Sequence, residues 1–335
     1  MTQKTIPVIY QDHYMLVVNK PAGLVIHPTY KHTSGTMWDA ILEYLDKQGK
    51  DDWQPPELPD KPEWSDAPEQ VRFMLREQRL EKMRKEEGLL PKPCLLHRLD
   101  KDTSGVVALA RTEYSRRHLV RQFQEHRIVK RYLTVVKRGA PDWARPRSPF
   151  KIMKKQDEIQ AMQFDSFTDI VLDEENEFVL DGALQRDPSD RRRCIVGPDG
   201  REAQTVIKVI ATEGEFILLE ARPVTGRTHQ IRAHLAALGY AIVGDTTYSL
   251  PVELSAPVAA MKRQFLHAYC LEFRSYPDNQ LRTFIAPLAD DLTEWLEDYL
   301  PVGLEVMYFD ISEAFSSGAA LSCMVSHLRY PEHSY

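Results

Sequence analysis

An α+β fold with a mixed, largely antiparallel sheet and flanking helices is what this 335-residue sequence predicts. Three observations lead there. Short β-rich runs mostly follow one another directly, which favours antiparallel neighbours over strand–helix–strand crossovers. Helical patterns are interspersed irregularly instead of following every strand. A hydrophobic content of 43% over this length supplies a core for one large or two ordinary domains.

The elements follow in chain order. Residues 14–28, "YMLVVNKPAGLVIHP", read as two short β-rich runs around a Pro-Ala-Gly turn, and 36–47, "TMWDAILEYLDK", as a short helix. Residues 48–93 then interrupt the pattern as an insertion. It opens with prolines set among charged residues, which favour an extended connector, and continues at 71–88, "VRFMLREQRLEKMRKEEG", with strong helix formers closed by Gly88. That helix is expected to face solvent. A strand at 105–111 ("GVVALAR"), a helix over "TEYSRRHLVRQFQEH" and a strand over "IVKRYLTVVKR" come next. Further strands are expected at 203–211 and 215–222, then a helix at 227–238 whose Ile231, Leu235 and Leu238 recur at helical spacing. Residues 264–274 and 283–287 read as closing strands, and 290–299 as an acidic helix. One catalytic-sized domain over 1–300 is expected, with 301–335 as a partly disordered extension, since its end shows little pattern.

Composition narrows the function. No apolar run approaches the roughly 18–20 residues that would cross a bilayer, and "MTQKTIPVIY" lacks the apolar core of a signal peptide, so a cytoplasmic protein with no membrane partner is expected. Cys94, Cys194, Cys270 and Cys323 contain no C-x-x-C pair, which suggests reduced thiols. Cys94 and His97 make a C-x-x-H, but that supplies two ligands only, and no metal site is expected. The net charge of −6 argues mildly against a nucleic-acid partner. Its distribution argues the other way: residues 111–138 carry nine Arg/Lys against two Glu, whereas 165–187 carry eight Asp/Glu against one Arg. Such a basic segment is the footprint of phosphate binding, because each phosphate contact releases counterions. A solvated helix with ordinary charges accounts for the segment by itself equally well.

Three segments hold more polar chemistry than their surroundings require: His97-Arg98-Leu99-Asp100 in "LLHRLDKDTSG", Lys130-Arg131-Tyr132 opening a strand, and "RPVTGRTHQIRAH" at 222–234. Together they offer a carboxylate, a phenol that can stack or donate, and a guanidinium that can bridge a carboxylate through two hydrogen bonds. That is a minimal nucleophile or base with its electrostatic support. A buried Asp–Arg pair that only ties two segments together is the plainer reading of the same residues.

"HRLDKDTSG" resembles the H-R-L-D-x-x-T-S-G signature of the RluA-type pseudouridine synthases, and other blocks fall in the same order. "VVNKPAGLVIHP" is similar to the family's N-K-P-x-G block, "KRYLTVV" to its K-x-Y block, and "GREAQTVIKVI" to its G-K-x-A-x-T strand. "RPVTGRTHQIRAHLAALGYAIVGDTTY" is similar to its arginine block, and "FLHAYCLEF" completes the set. The resemblance covers residues 7–290 apart from the insertion. It implies a central RNA-binding cleft and an isomerase that detaches uracil from ribose, turns it and reattaches it through carbon 5, in rRNA or tRNA, with no cofactor and no metal. Asp100 then matches the catalytic aspartate, Tyr132 the tyrosine that stacks on the base, and Arg232 the arginine paired with the aspartate. Leu266 matches an apolar residue of the pocket, and Arg98 a residue that fills the helix gap left by a flipped base. His97 is assigned to structure or to a phosphate neighbour, and Arg227 to phosphate. Arg145, Arg147, Lys151, Lys154 and Lys155 would extend the basic face that holds RNA. A monomer is expected.

Two departures from the family plan stand out. The small basic RNA-binding domain that precedes many relatives' cores is expected to be missing, and the 48–93 insertion replaces a much shorter link, where it either helps select RNA or only packs on the surface. Rival readings are weaker. An aspartic protease needs a second D-T-G-like turn, and "DTSG" has no partner. A metallohydrolase on His229 and His234 fails because residues five apart do not share a helix face as i, i+4 ligands do. A non-catalytic RNA-binding relative would be signalled by loss of Asp100, Tyr132 or Arg232, and all three are present.

Overall fold

The computed structural model describes residues 6–28, 33–48, 60–86, 88–155, 159–162, 172, 177–249 and 255–304. Strands β1 (Val8–Gln11) and β2 (Met15–Lys20) form a hairpin whose turn is set by Asp12 Oδ1, which accepts from the N–H groups of Tyr14 and Met15. Helix α1 (Met37–Asp46) opens on a reciprocal cap in which the Thr36 and Asp39 side chains each accept the other's backbone N–H. The second β-rich run expected near residues 24–28 does not form a strand. The carbonyls of Val25 and Ile26 accept from Met37 N and Trp38 N at the start of α1, so this backbone finishes the helix instead of joining a ladder.

The insertion carries α2 (Glu69–Glu86), which faces solvent as expected, with Val71, Phe73 and Met74 exposed. Two of its arginines, Arg72 and Arg76, are occupied by Asp60 and Glu69. The connector over 49–59 lies outside the described residues. A strand then appears where none was expected, β3 (Leu89–Leu95), disguised by Pro91 and Pro93. Prolines are tolerated there because β3 pairs only with β4 (Ser104–Thr112), irregularly and at the margin of the sheet.

Helix α3 (Glu113–Gln124) and strand β5 (Val129–Arg138) follow as expected. The sequence reading missed β6 (Lys151–Lys155), β7 (Ile159–Met162), β8 (Glu177–Asp181), β9 (Leu184–Arg186) and β10 (Cys194–Val196), which are three to five residues long and, in β6 and β8, carry several charges. Next come β11 (Gln204–Glu213), β12 (Phe216–Pro223), α4 (Gln230–Ala237), β13 (Tyr240–Ile242), α5 (Ala256–Ala260), β14 (Leu266–Arg274), β15 (Leu281–Ile285) and α6 (Asp290–Tyr299).

Thirteen described strands form one sheet in the order β1-β2-β4-β14-β5-β12-β11-β8-β6-β7, with β3 on β4, β13 on β5 and β15 on β14. Its pairings are antiparallel except β4 with β14, which run parallel at His267↔Ser104 and Ala268↔Gly105. The fold is therefore α+β with a largely antiparallel sheet, as expected. Both faces are covered near the chain start. Leu16, Val18, Val107 and Leu109 meet Met37 and Ile41 of α1, while Met15, Val17, Val106 and Ala108 meet Leu119 of α3. A larger cluster joins β5, β11 and β12 to α4 and α6 and extends to Leu300 and Leu304. The remainder of the expected C-terminal extension, 305–335, lies outside the described residues.

The basic segment 111–138 is not one open face. Glu113 holds Arg116 and Arg117, Glu125 holds Arg121 and Arg127, and across the sheet Glu220 and Glu215 hold Arg131 and Lys137.

Candidate active site

Asp100 lies in the tight turn between β3 and β4, where Thr103 N donates to its carbonyl. This turn is fixed from two sides. The Lys20 ammonium, fully buried at the end of β2, donates to the carbonyls of Pro21, Lys101 and Thr103 at 3.1, 2.8 and 2.8 Å. Arg263 donates to the Asp102 carbonyl at 3.1 Å and to Ser104 Oγ, while a two-pronged bridge at 2.7 and 2.8 Å ties it to Asp291 of α6. Carbonyl oxygens make the buried ammonium tolerable, and in return the cation organises the turn. Behind it, Gly105 has φ +121°, and a Cβ there would stand 2.1 Å from the Ala268 carbonyl oxygen. Glycine at this position lets β4 lie beside β14 and delivers Asp100 to the sheet's centre.

Three of the expected residues do converge. Arg232 Nη1, on α4, donates to Asp100 Oδ2 at 3.2 Å, with the arginine side chain 7% and the aspartate 23% exposed. Tyr132 of β5 is close enough that burial, and then the Asp100 charge, push its phenol pKa up. Leu266 is buried at the start of β14 in the cluster against which Tyr132 packs, opposite Thr134 in register.

The two-pronged bridge expected between Arg232 and Asp100 goes elsewhere. Arg232 Nε and Nη2 bind Asp245 Oδ2 and Oδ1 at 2.6 and 2.8 Å, so that only Nη1 reaches Asp100. Asp245 is 1% exposed and is itself fixed by the N–H groups of Thr247 and Tyr248. Burial alone would lower the Arg232 pKa, but the Asp245 hydrogen bonds and charge, followed by Asp100, raise it. A guanidinium so held is a permanent cation aimed at Asp100. Asp245 was missed because thirteen residues separate it from Arg232; the available signal was Gly244-Asp245 followed by two threonines, an Asx-turn pattern. Gly244 makes the turn at φ +75°, with Arg263 O where a Cβ would be.

Other expected residues occupy different places. His97 Nε2 accepts from Ala108 N at 3.0 Å and its ring stacks on Phe123, with burial and then Lys130 pushing its pKa down to about 3. It is a neutral brace between β4 and α3. Arg98 is exposed, with no ion pair among the described residues. Arg227 is half-buried and donates through Nε to the Glu202 carbonyl at 3.0 Å. Lys130 Nζ donates to the Thr225 carbonyl at 2.9 Å, and burial lowers its pKa to about 8.

Two further side chains complete the site. His229, in a left-handed backbone conformation (φ 54°) just before α4, brings Nε2 to 3.7 Å from Asp100 Oδ2. Tyr248 lies against Arg232, 5.0 Å from ring centre to guanidinium carbon, and its hydroxyl reaches Cys194 and His229. His234 points away. Gln230 Nε2 donates to Thr205 Oγ1, which donates to His234 Nδ1, and His234 Nε2 donates to the Gly182 carbonyl. This chain fixes α4 on the sheet. Among the described residues no group of three or more His, Cys, Asp or Glu is arranged to hold a metal ion.

Comparison with known proteins bears on the chain as a whole. A family model described as RNA pseudouridylate synthase matches residues 13–237. An uncharacterized RNA pseudouridine synthase of Chloroflexus aurantiacus is 32% identical over 274 residues, 82% of this chain and 63% of its own length. Ribosomal large subunit pseudouridine synthase D of Xylella fastidiosa is 30% identical over 298 residues, 86% of this chain and 68% of its own. The chain thus spans less than two thirds of the Chloroflexus protein and about two thirds of the Xylella one. In fold, the chain is similar to the solved structure of human RNA pseudouridylate synthase domain containing 4, with a TM-score of 0.51 at 19% identity over 87% of this chain and 92% of that one.

Proposed function

The chain belongs to the RNA pseudouridylate synthase family, and on that premise we propose that it isomerises uridine to pseudouridine in structured RNA with Asp100 as the reacting carboxylate. The observation that carries the assignment is the one-pronged contact of Arg232 with Asp100 Oδ2 at 3.2 Å in a partly dry pocket beside Tyr132. A carboxylate so placed keeps lone pairs free for the ribose, as a nucleophile at C1′ or a base at C2′, while a neighbouring cation stabilises its charge. The rearrangement consumes nothing and changes no oxidation state, so the proposal includes no cofactor.

Tyr132 offers its ring face to the uracil, Leu266 closes the apolar wall, and Arg232 is the permanent counter-charge. A uridine inside a stem reaches Asp100 only by leaving the stack. The exposed Arg98, two residues before Asp100, is suited to enter the gap, because a guanidinium stacks and hydrogen-bonds at once. Arg227, whose Nε is held by the Glu202 carbonyl, is assigned to a phosphate. The names of relatives such as the Xylella protein favour large-subunit rRNA as the substrate. The free thiols of Cys94, Cys194 and Cys270 suit the cytoplasm, and no helix among the described residues is long and apolar enough to cross a membrane.

Chemical mapping of pseudouridine across total RNA, from cells with the protein, without it, and with Asp100→Asn alone, tests the reading. One or more sites should vanish in the second and third samples, with the variant retaining its wild-type melting temperature. A complete set of sites in cells carrying only Asp100→Asn would sink the assignment.

A further inference from the structure

Reattaching uracil through carbon 5 leaves that carbon with a hydrogen that pseudouridine does not keep, so the reaction proposed above needs a proton acceptor near the new bond. We propose that His229 is that acceptor, a further catalytic residue that takes the C5 proton on Nε2 after the carbon–carbon bond has formed; the inference rests on the proposed function. In this step the C5–H bond breaks and its electron pair restores the C5=C6 double bond. The C6=N1 pair moves to N1, which takes a proton from water, and Nε2 later returns its own proton to water.

Geometry carries the assignment. Nε2 lies 3.7 Å from Asp100 Oδ2. The new bond joins C5 to C1′, which is the carbon Asp100 attacks or the neighbour of the carbon it deprotonates, so the proton to be lost is delivered within reach of this nitrogen. The other ring nitrogen is occupied. Tyr248 Oη accepts from Cys194 N at 2.7 Å and donates to the Cys194 carbonyl at 3.0 Å, which leaves its second lone pair for His229 Nδ1–H at 3.3 Å. That tautomer directs the Nε2 lone pair toward Asp100. The 3.7 Å gap, too long for a hydrogen bond, leaves the lone pair available.

The charges around the ring suit a base that starts neutral. Burial lowers the imidazole pKa, opposed by Asp100 on the turn; Arg232 on α4 lowers it further, Asp245 after β13 raises it and Arg186 on β9 lowers it. Once protonated, the ring faces the Asp100 carboxylate, which stabilises the product of the transfer. His229 pays for its position with a left-handed backbone that histidine seldom adopts, and strain of this kind gathers where a side chain must be aimed.

The test uses the full chain with total RNA from cells lacking it, grown either with [5-3H]uridine or with 5-fluorouracil. Release of tritium reports loss of the C5 hydrogen; rearrangement of 5-fluorouridine, which has no C5 hydrogen, reports every earlier step. His229→Asn accommodates the left-handed backbone, and His229→Gln is the second variant in case the first fails to fold. We expect tritium release to fall about 100-fold or more, the usual range for a general base, while fluorouridine rearrangement stays within about threefold of wild type. Wild-type release should also decline as pH falls through the imidazole pKa, and that acid limb should be lost in the variant. Equal losses in both assays would make His229 a support for Asp100 only, and undiminished tritium release would dismiss it altogether. A wild-type protein that neither releases tritium nor rearranges fluorouridine would overturn the proposed function itself.

Discussion

At the scale of single residues, Arg232 is the joint on which the site turns, and Asp245 decides where it points. Asp245→Ala removes both acceptors of the two-pronged bridge and leaves a guanidinium that is 7% exposed with one contact to Asp100. Breaking one side of a buried ion pair costs about 3–5 kcal/mol, which for a chain of this size lowers Tm by roughly 5–15 °C. Pseudouridine formation should fall with it, because an arginine released from Asp245 no longer meets Asp100 Oδ2 at a fixed angle. Arg98→Ala, at an exposed position, should leave Tm unchanged. Calorimetry of the two variants separates these cases, and equal melting temperatures would mean that the Asp245 bridge carries no stability. The sequence made Asp100, Tyr132 and Arg232 visible because each stands in a dense polar motif. It left Asp245 and Tyr248 unread, since nothing local in "VGDTTY" shows which arginine they will meet.

At the scale of elements, the parallel contact between β4 and β14 is what an antiparallel reading would not supply. Gly105 makes it possible. Gly105→Ala would add backbone strain at φ +121° to a collision with the Ala268 carbonyl, whereas Gly214→Ala, at φ +58° with open space around it, adds strain alone. The first change should cost about 2–6 kcal/mol and the second about 1–2 kcal/mol. Urea unfolding of both proteins measures the difference, and equal midpoints would show that β14 yields freely. Elements with strong periodicity, such as α1, α3 and β12, were legible. Those missed, the strands β3, β6 through β10 and β13 and the one-turn helix α5, are short, charged or interrupted by proline, and the strands exist because the neighbouring strand supplies their hydrogen bonds.

At the scale of the whole molecule, two fully buried histidines link stability to pH. Burial lowers His234 and His267 to about 4 from an ordinary 6.5. Unfolding frees each to bind a proton below pH 6.5, whereas the folded protein binds none until about pH 4. Their contribution is therefore complete above pH 6.5 and is lost as pH falls toward 4, at up to about 1.4 kcal/mol per pH unit for each. Unfolding free energies measured from pH 7.5 to 5 should be flat at first and then decline, by up to about 2.7 kcal/mol per unit for the pair, with about 1.4 more from His97, whose pKa burial lowers to about 3. A profile that stays flat through pH 5 would mean that these rings are accessible to protons in the folded state.

The sequence by itself determined the fold class, the family resemblance, and three of the residues that meet at the site, because hydrophobic period and dense polar motifs are local properties of a chain. Tertiary structure alone decided the partners. Arg232 spends its fork on Asp245 and a single N–H on Asp100, His97 becomes a neutral brace, the basic segment divides into pairs with Glu113, Glu125, Glu215 and Glu220, and His229 turns toward Asp100. A charged side chain in a sequence declares only what it could bind. Which of several opposite charges it binds depends on which strands lie side by side, and that is settled by burying apolar surface along the entire sheet.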